Sequence, residues 1–152
     1  MTRRGAARCV IVLCLTLLAP VAARAQEAAA VNEAVMAFLK ALRNEDMDAA
    51  MKFADAPFVA EDAQIFATKA EVKTYLSKMC LQLQAAEMPN EVLAILDYEQ
   101  SRAATESSVL KLRDTVLTRG DLLVATGRDG ISRGVLLVKM GGGSPMVVGV
   151  GY

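Results

Sequence analysis

Val31, Val35, Phe38, Leu39 and Leu42 recur at i, i+4, i+7, i+8 and i+11, the stripe of an amphipathic helix. Glu33, Lys40 and Arg43 lie off that stripe, and Asn44 stops it. Asp46 then caps a second helix carrying Met47, Ala50, Met51 and Ala54, and Pro57 ends it because proline cannot continue the backbone bonding. The two are expected to form a short antiparallel pair. Phe58-Val59-Ala60 and Gln64-Ile65-Phe66 flank the polar Glu61-Asp62, which predicts a small hairpin. Thr68-Lys69-Ala70-Glu71 is a capping box, in which hydroxyl and carboxylate satisfy each other's orphan amides. It opens a third helix with Val72, Tyr75, Leu76, Met79 and Leu83 on one face.

Beyond a break at Met88-Pro89-Asn90, Val92-Leu93-Ala94-Ile95-Leu96 reads as a buried strand. A helix is expected over Ser101 to Thr118, with Leu110 and Leu117 seven apart, Val109, Leu112 and Val116 beside them, and Gly120 as its C-terminal cap. The tail is β. Leu122-Leu123-Val124-Ala125 leads through a turn at Gly127-Arg128-Asp129-Gly130 to Gly134-Val135-Leu136-Leu137-Val138. After Gly141-Gly142-Gly143-Ser144-Pro145, Met146-Val147-Val148-Gly149-Val150 closes the chain. Short turns imply an antiparallel meander. Helices first and strands last predict an α+β protein, with N-terminal helices packed on one face of a curved antiparallel sheet.

The first 25 residues follow another logic. They hold Arg3, Arg4, Arg8 and Arg24 and no acid, around the apolar run Val10 to Ala19. Pro20 breaks that run, and Ala23-Arg24-Ala25 offers the small residues of a cleavage site. This is the pattern of a secretory signal peptide, and the run is shorter than the roughly 20 residues a spanning helix needs. Residues 26–152 are then one exported domain, periplasmic or extracellular, with no stable membrane anchor. Gln26 to Ala30 form its small-residue leader.

Composition changes the picture in two places. The 152 residues carry 17 Lys+Arg, 17 Asp+Glu, no His and no Trp. Without His, no Ser-His-Asp, Cys-His or His-ligated metal mechanism is open. Residues 26–152 keep 13 Lys+Arg against 17 Asp+Glu, a net charge of −4 spread along the chain, which argues against a nucleic-acid partner. Only Cys80 remains there, so no internal disulfide can form.

Phe38-Leu39-Lys40-Ala41-Leu42, a polar break, Asp46-Met47-Asp48-Ala49-Ala50-Met51 and the capped third helix together resemble the nuclear transport factor 2-like superfamily, over residues 31–81. That superfamily includes ketosteroid isomerases, polyketide cyclases and non-catalytic secreted modules. The resemblance implies a cone of bent sheet around helices, a pocket at its open end and frequent homodimers. The Gly-Arg pair that often opens the third helix in those proteins is Thr68-Lys69 here, and no catalytic residue is carried over.

Isomerase-type chemistry would need a carboxylate of raised pKa and a phenol or second acid to hold an oxyanion. Asp97 and Tyr75 are the weak candidates for a catalytic role. Asp97 shares a strand face with Leu93 and Ile95, but it reads equally as a strand end reaching solvent. Tyr75 reads as core with its hydroxyl at the rim, and Asp55 as a helix-end turn residue. Cys80 is an inert core thiol or the candidate for an interchain disulfide. Met47 and Met51 fill core rather than bind copper, and Glu45-Asp46-Met47-Asp48 starts a helix rather than a calcium loop. Gly141-Gly142-Gly143-Ser144 is a hairpin, not a phosphate cradle. Gly149 and Gly151 point to a bulge or to another chain's approach, hence a homodimer. No metal or cofactor is expected. The leading expectation is an exported, non-catalytic module binding a small apolar ligand or a protein partner; the alternative is an isomerase- or cyclase-like enzyme.

Overall fold

The computed structural model describes residues 7–61, 64–83, 87–101, 113 and 116–151, with backbone alone for 7–22. The apolar stripe of the first helix is where the core begins. In α1 (Ala7–Arg43), Val31, Val35, Phe38, Leu39 and Leu42 are all buried, whereas residues 23–30 are exposed apart from half-buried Ala28. Among the side chains described, the buried core starts at Val31. The helix continues through Pro20 instead of breaking there; a long helix can lose the one bond that proline removes. Among the described residues no helix is long and apolar enough to cross a membrane.

The second helix is shorter than its pattern suggested. Asp46 caps α2 (Met47–Ala50) by accepting the Ala49 N–H, but Ala54 and Pro57 belong to a strand, β1 (Ala54–Ala60). Pro57 is tolerated because it sits where the ladder to the neighbouring strand is interrupted, between Ala54 and Val59. Asp55 is accordingly a strand residue, and its carboxylate meets Lys69 at 3.4 Å. The hairpin to β2 (Gln64–Phe66) forms as expected, with Phe58 opposite Phe66.

Helix α3 (Lys69–Gln82) has both halves of its capping box. Glu71 Oε2 accepts the Thr68 N–H at 3.0 Å, and Thr68 Oγ1 accepts the Glu71 N–H at 3.3 Å. The Thr68 backbone N–H, then the Thr68 side chain, hold the Glu71 carboxyl below the ordinary glutamate value. A depressed folded pKa adds stability that is present above the unfolded pKa and lost as pH falls through the folded one. Acid titration below about pH 4 is thus expected to loosen the first turn of α3, read by amide exchange at Glu71. Thr68→Ala should lower stability by about 1 kcal/mol and reduce that pH dependence only in part, because the backbone N–H at position 68 is kept.

β3 (Glu91–Asp97), β4 (Leu122–Arg128), β5 (Ile131–Lys139) and β6 (Met146–Gly151) form the antiparallel meander. The β4–β5 turn is only Asp129-Gly130, at φ +54° and +74°, the left-handed pair that matches strand twist. The sheet is mixed rather than purely antiparallel: its order is β2-β1-β6-β5-β4-β3, and β1 runs parallel to β6. It does not close into a barrel, so β2 and β3 lie at opposite edges. Edge position explains why β3 is not the buried strand its composition suggests; Leu93 is 38% exposed and Ala94 is exposed too.

Both faces of the sheet are covered, not one. Val124, Leu136, Val138, Val147 and Val150 pack with α1, α2 and α3. Leu123, Leu137 and Val148 face the other way, against Val116 and Leu117. The helix expected over Ser101 to Thr118 lies mostly outside the described residues. Of it, Ser101 closes the short α4 (Tyr98–Ser101), Arg113 and Val116 are helical, and Gly120 takes φ +95°. Arg113 is buried and donates to the Ser101 carbonyl. Val147 and Val150 reach the same face at odd spacing because a register shift between Leu137 and Val138 resets the alternation. At Gly149 a Cβ would lie 2.9 Å from Leu137 Cδ1 and 3.1 Å from the Val59 carbonyl oxygen. The close approach is made by the chain itself, so this glycine no longer points to a second copy.

Candidate functional site

The helical stripe Glu71, Thr74, Tyr75 and Lys78, at i, i+3, i+4 and i+7, borders the buried stripe Val72, Leu76 and Met79. The buried stripe holds α3 against the core, and the bordering stripe faces β2 across a groove. Tyr75 stacks on Phe66, ring centroids 4.8 Å apart and 29° between planes, and meets fully buried Phe58 at 6.2 Å. The groove is about 550 Å³, with Gln64, Ile65 and Phe66 of β2 on one side and Ala70, Glu71, Thr74, Tyr75 and Lys78 of α3 on the other. A second, of about 400 Å³, continues along Met79 and Leu83 and shares Gln64, Tyr75 and Lys78 with the first. Both lie within the size range of small-molecule sites.

Charge is distributed unevenly along this groove. Of the three lysines of α3, Lys69 pairs with Asp55, and Lys73 donates to Asp48 at 2.6 Å, holding that carboxyl below its usual range. Lys78 has no hydrogen-bond or ion-pair partner among the described residues. Glu71, at the other end, spends its carboxylate on the helix cap, accepting from Ala67 and Thr68.

The structure does not bring the two catalytic candidates together. Tyr75 packs beside the β1–β2 edge, whereas Asp97 ends β3 at the opposite edge. Asp97 is exposed and caps α4, accepting the Gln100 N–H at 2.7 Å while Gln100 Oε1 accepts its own N–H. With Asp97 at one edge of the sheet and Tyr75 beside the other, the two side chains share no pocket. Cys80 is buried and donates through Sγ to the Leu42 carbonyl at 3.6 Å; burial, then the Glu45 carboxylate, pushes its thiol pKa up. This is the environment of an inert core thiol, and a buried Sγ is not presented for an interchain bridge. Met47 and Met51 pack against the core. No group of residues able to hold a metal ion occurs among the described residues.

Sequence reasoning placed Tyr75 at the rim of the core but missed Phe66 as its wall. The available signal was the hairpin register: with residues 61–63 as the loop, Phe58 and Phe66 stand three residues from its two ends and so face one another. No family model, curated protein or solved structure matches this chain.

Proposed function

We propose that the chain is an exported, non-catalytic binding module whose site is the groove between β2 and α3, taking a small ligand with an apolar body. One observation carries this reading: Tyr75 lies stacked on Phe66 and only half-buried, leaving aromatic surface to a groove of small-molecule size. Ala70 and Thr74, both exposed, complete the helix side of the same groove. Rigid aromatic walls give contact area at little entropic cost. Export is supported by the basic start, short apolar run and Ala23-Arg24-Ala25 site. The exposure of residues 23–30, apart from half-buried Ala28, fits a cleavage site at Ala25 that an enzyme can reach.

The test uses protein recovered from outside the cytoplasm of an exporting host. Its mass should correspond to a chain starting at Gln26, and the neutral dye Nile red should gain fluorescence on binding. Ala70→Asp, which puts a carboxylate on the exposed helix wall of the groove, should weaken dye binding by roughly tenfold with an unchanged melting temperature. Equal dye binding by both proteins would overturn the site, and retention of the full-length chain in the cytoplasm would overturn export.

A protein partner, including a second copy, is a second reading, favoured by Leu81, which projects from α3 with 81% of its surface exposed. Native mass spectrometry of the same sample reads it directly: a bare monomer at all concentrations removes the homodimer.

A further inference from the structure

We propose that the groove selects an amphipathic monoanion, a medium-length acyl or aryl carboxylate, with its apolar body on Phe66 and Tyr75 and its carboxylate at Lys78. The inference rests on the small-ligand reading above and adds the ligand's charge and orientation. Three observations carry it together. Lys78 is the α3 lysine left without a partner among the described residues, while Lys69 and Lys73 are neutralised by Asp55 and Asp48. It lines both grooves, as Gln64 and Tyr75 do, and Glu61, the acid that lines the second groove, has an interaction of its own.

The third observation is the polarity of the groove. Glu71 lies seven residues before Lys78, or about 10 Å along the helix axis at 1.5 Å per residue. Its carboxylate is anchored to the Ala67 and Thr68 amides, so that end keeps a fixed negative charge. An anionic head is repelled there and attracted at Lys78. The wall between the two charges is apolar and aromatic, formed by Phe66, Ala70 and Tyr75. A neutral amphipath would gain the wall and forgo the ammonium; a cationic one would meet Lys78 with like charge.

Isothermal titration of the exported protein with decanoate and with decan-1-ol, both below micelle formation, tests this. Decanoate should bind roughly fivefold more tightly than the alcohol, the scale of a solvent-accessible ion pair. Lys78→Met keeps the side-chain length and removes the charge, so it should abolish decanoate's advantage over the alcohol. Decanoate's advantage should also shrink as salt rises. Equal affinities for the two compounds in the unsubstituted protein would overturn the anion preference and leave the apolar groove standing. A preference that survives Lys78→Met would also overturn it, because the carboxylate would then be held elsewhere. Failure of both compounds to bind would bring down the small-ligand reading itself.

Discussion

Phe58→Ala is expected to destabilise the protein by about 4 kcal/mol, the scale of emptying a buried phenylalanine site. Phe58 is fully buried in β1, among the residues that α1, α2 and α3 bring to the sheet. The loss combines the transfer free energy of the ring with the cavity left behind, and little can collapse into it. On one side stands the β1–β6 ladder, on the other α3, pinned by Val72 and Leu76. Phe58 also backs Tyr75 at 6.2 Å, so its removal should loosen the groove as well as the core. Urea unfolding reads the first effect as a lower midpoint at unchanged slope, and Nile red titration reads the second as weaker binding below the transition. A loss under 2 kcal/mol would mean that α3 can settle onto the sheet without this ring. The groove would then owe its shape to Phe66 alone.

Asp121→Ala should cost about 3 kcal/mol, although no apolar contact is lost. Asp121 is 4% exposed. Its carboxylate accepts three hydrogen bonds: the Thr118 N–H at 2.7 Å, the Thr118 hydroxyl at 3.0 Å and the Met140 N–H at 2.7 Å. It therefore ties the segment bearing Val116 and Leu117 to the end of β5, holding the cover of the sheet's second face in place. Alanine would leave two backbone donors without an acceptor, and the cost of an orphaned buried donor exceeds the net gain of a made bond. Asp121→Asn, which keeps one carbonyl oxygen, should lose less than the alanine variant. Hydrogen exchange at Thr118 and Met140 localises the effect: both amides should speed up in Asp121→Ala while those of Val72 and Leu76 stay protected. An alanine variant within 1 kcal/mol of the unsubstituted protein would show that the second-face cover does not depend on this tie.

Elements whose cause lies within a few residues were legible directly. The stripe from Val31 to Leu42 is buried as its spacing required, and Asp46 and Thr68 cap the helices they precede. Each depends on a 3.6-residue period or on a side chain bonding its own helix end. The β4–β5 hairpin was legible for the same reason, since the two-residue turn Asp129-Gly130 leaves its strands no choice but to pair. The misreadings occurred where a distant partner outweighed local pattern. Ala54 continues the periodicity of α2, yet it pairs with Val147 across the sheet, a contact no local rule anticipates. Leu93 sits in an unbroken apolar run, yet it is partly exposed because β3 became an edge.

The candidate site divides along the same line. Tyr75 could be placed at the margin of the α3 core from its own spacing, and Cys80 beside that core, both consequences of helix geometry. That Phe66 would stack on Tyr75, that Lys78 would lack the carboxylate its neighbours have, and that Asp97 would cap a turn at the far edge depended on the strand order. The sequence by itself determined the local units: where helices start, which face each buries, where the chain turns, and that no histidine chemistry is open. Only the tertiary structure decided which edge each strand occupies, that β1 runs parallel to β6, and which side chains share a groove. Capping and periodicity act over a few residues, whereas strand neighbours are chosen by the burial of the whole sheet, which no short stretch of chain contains.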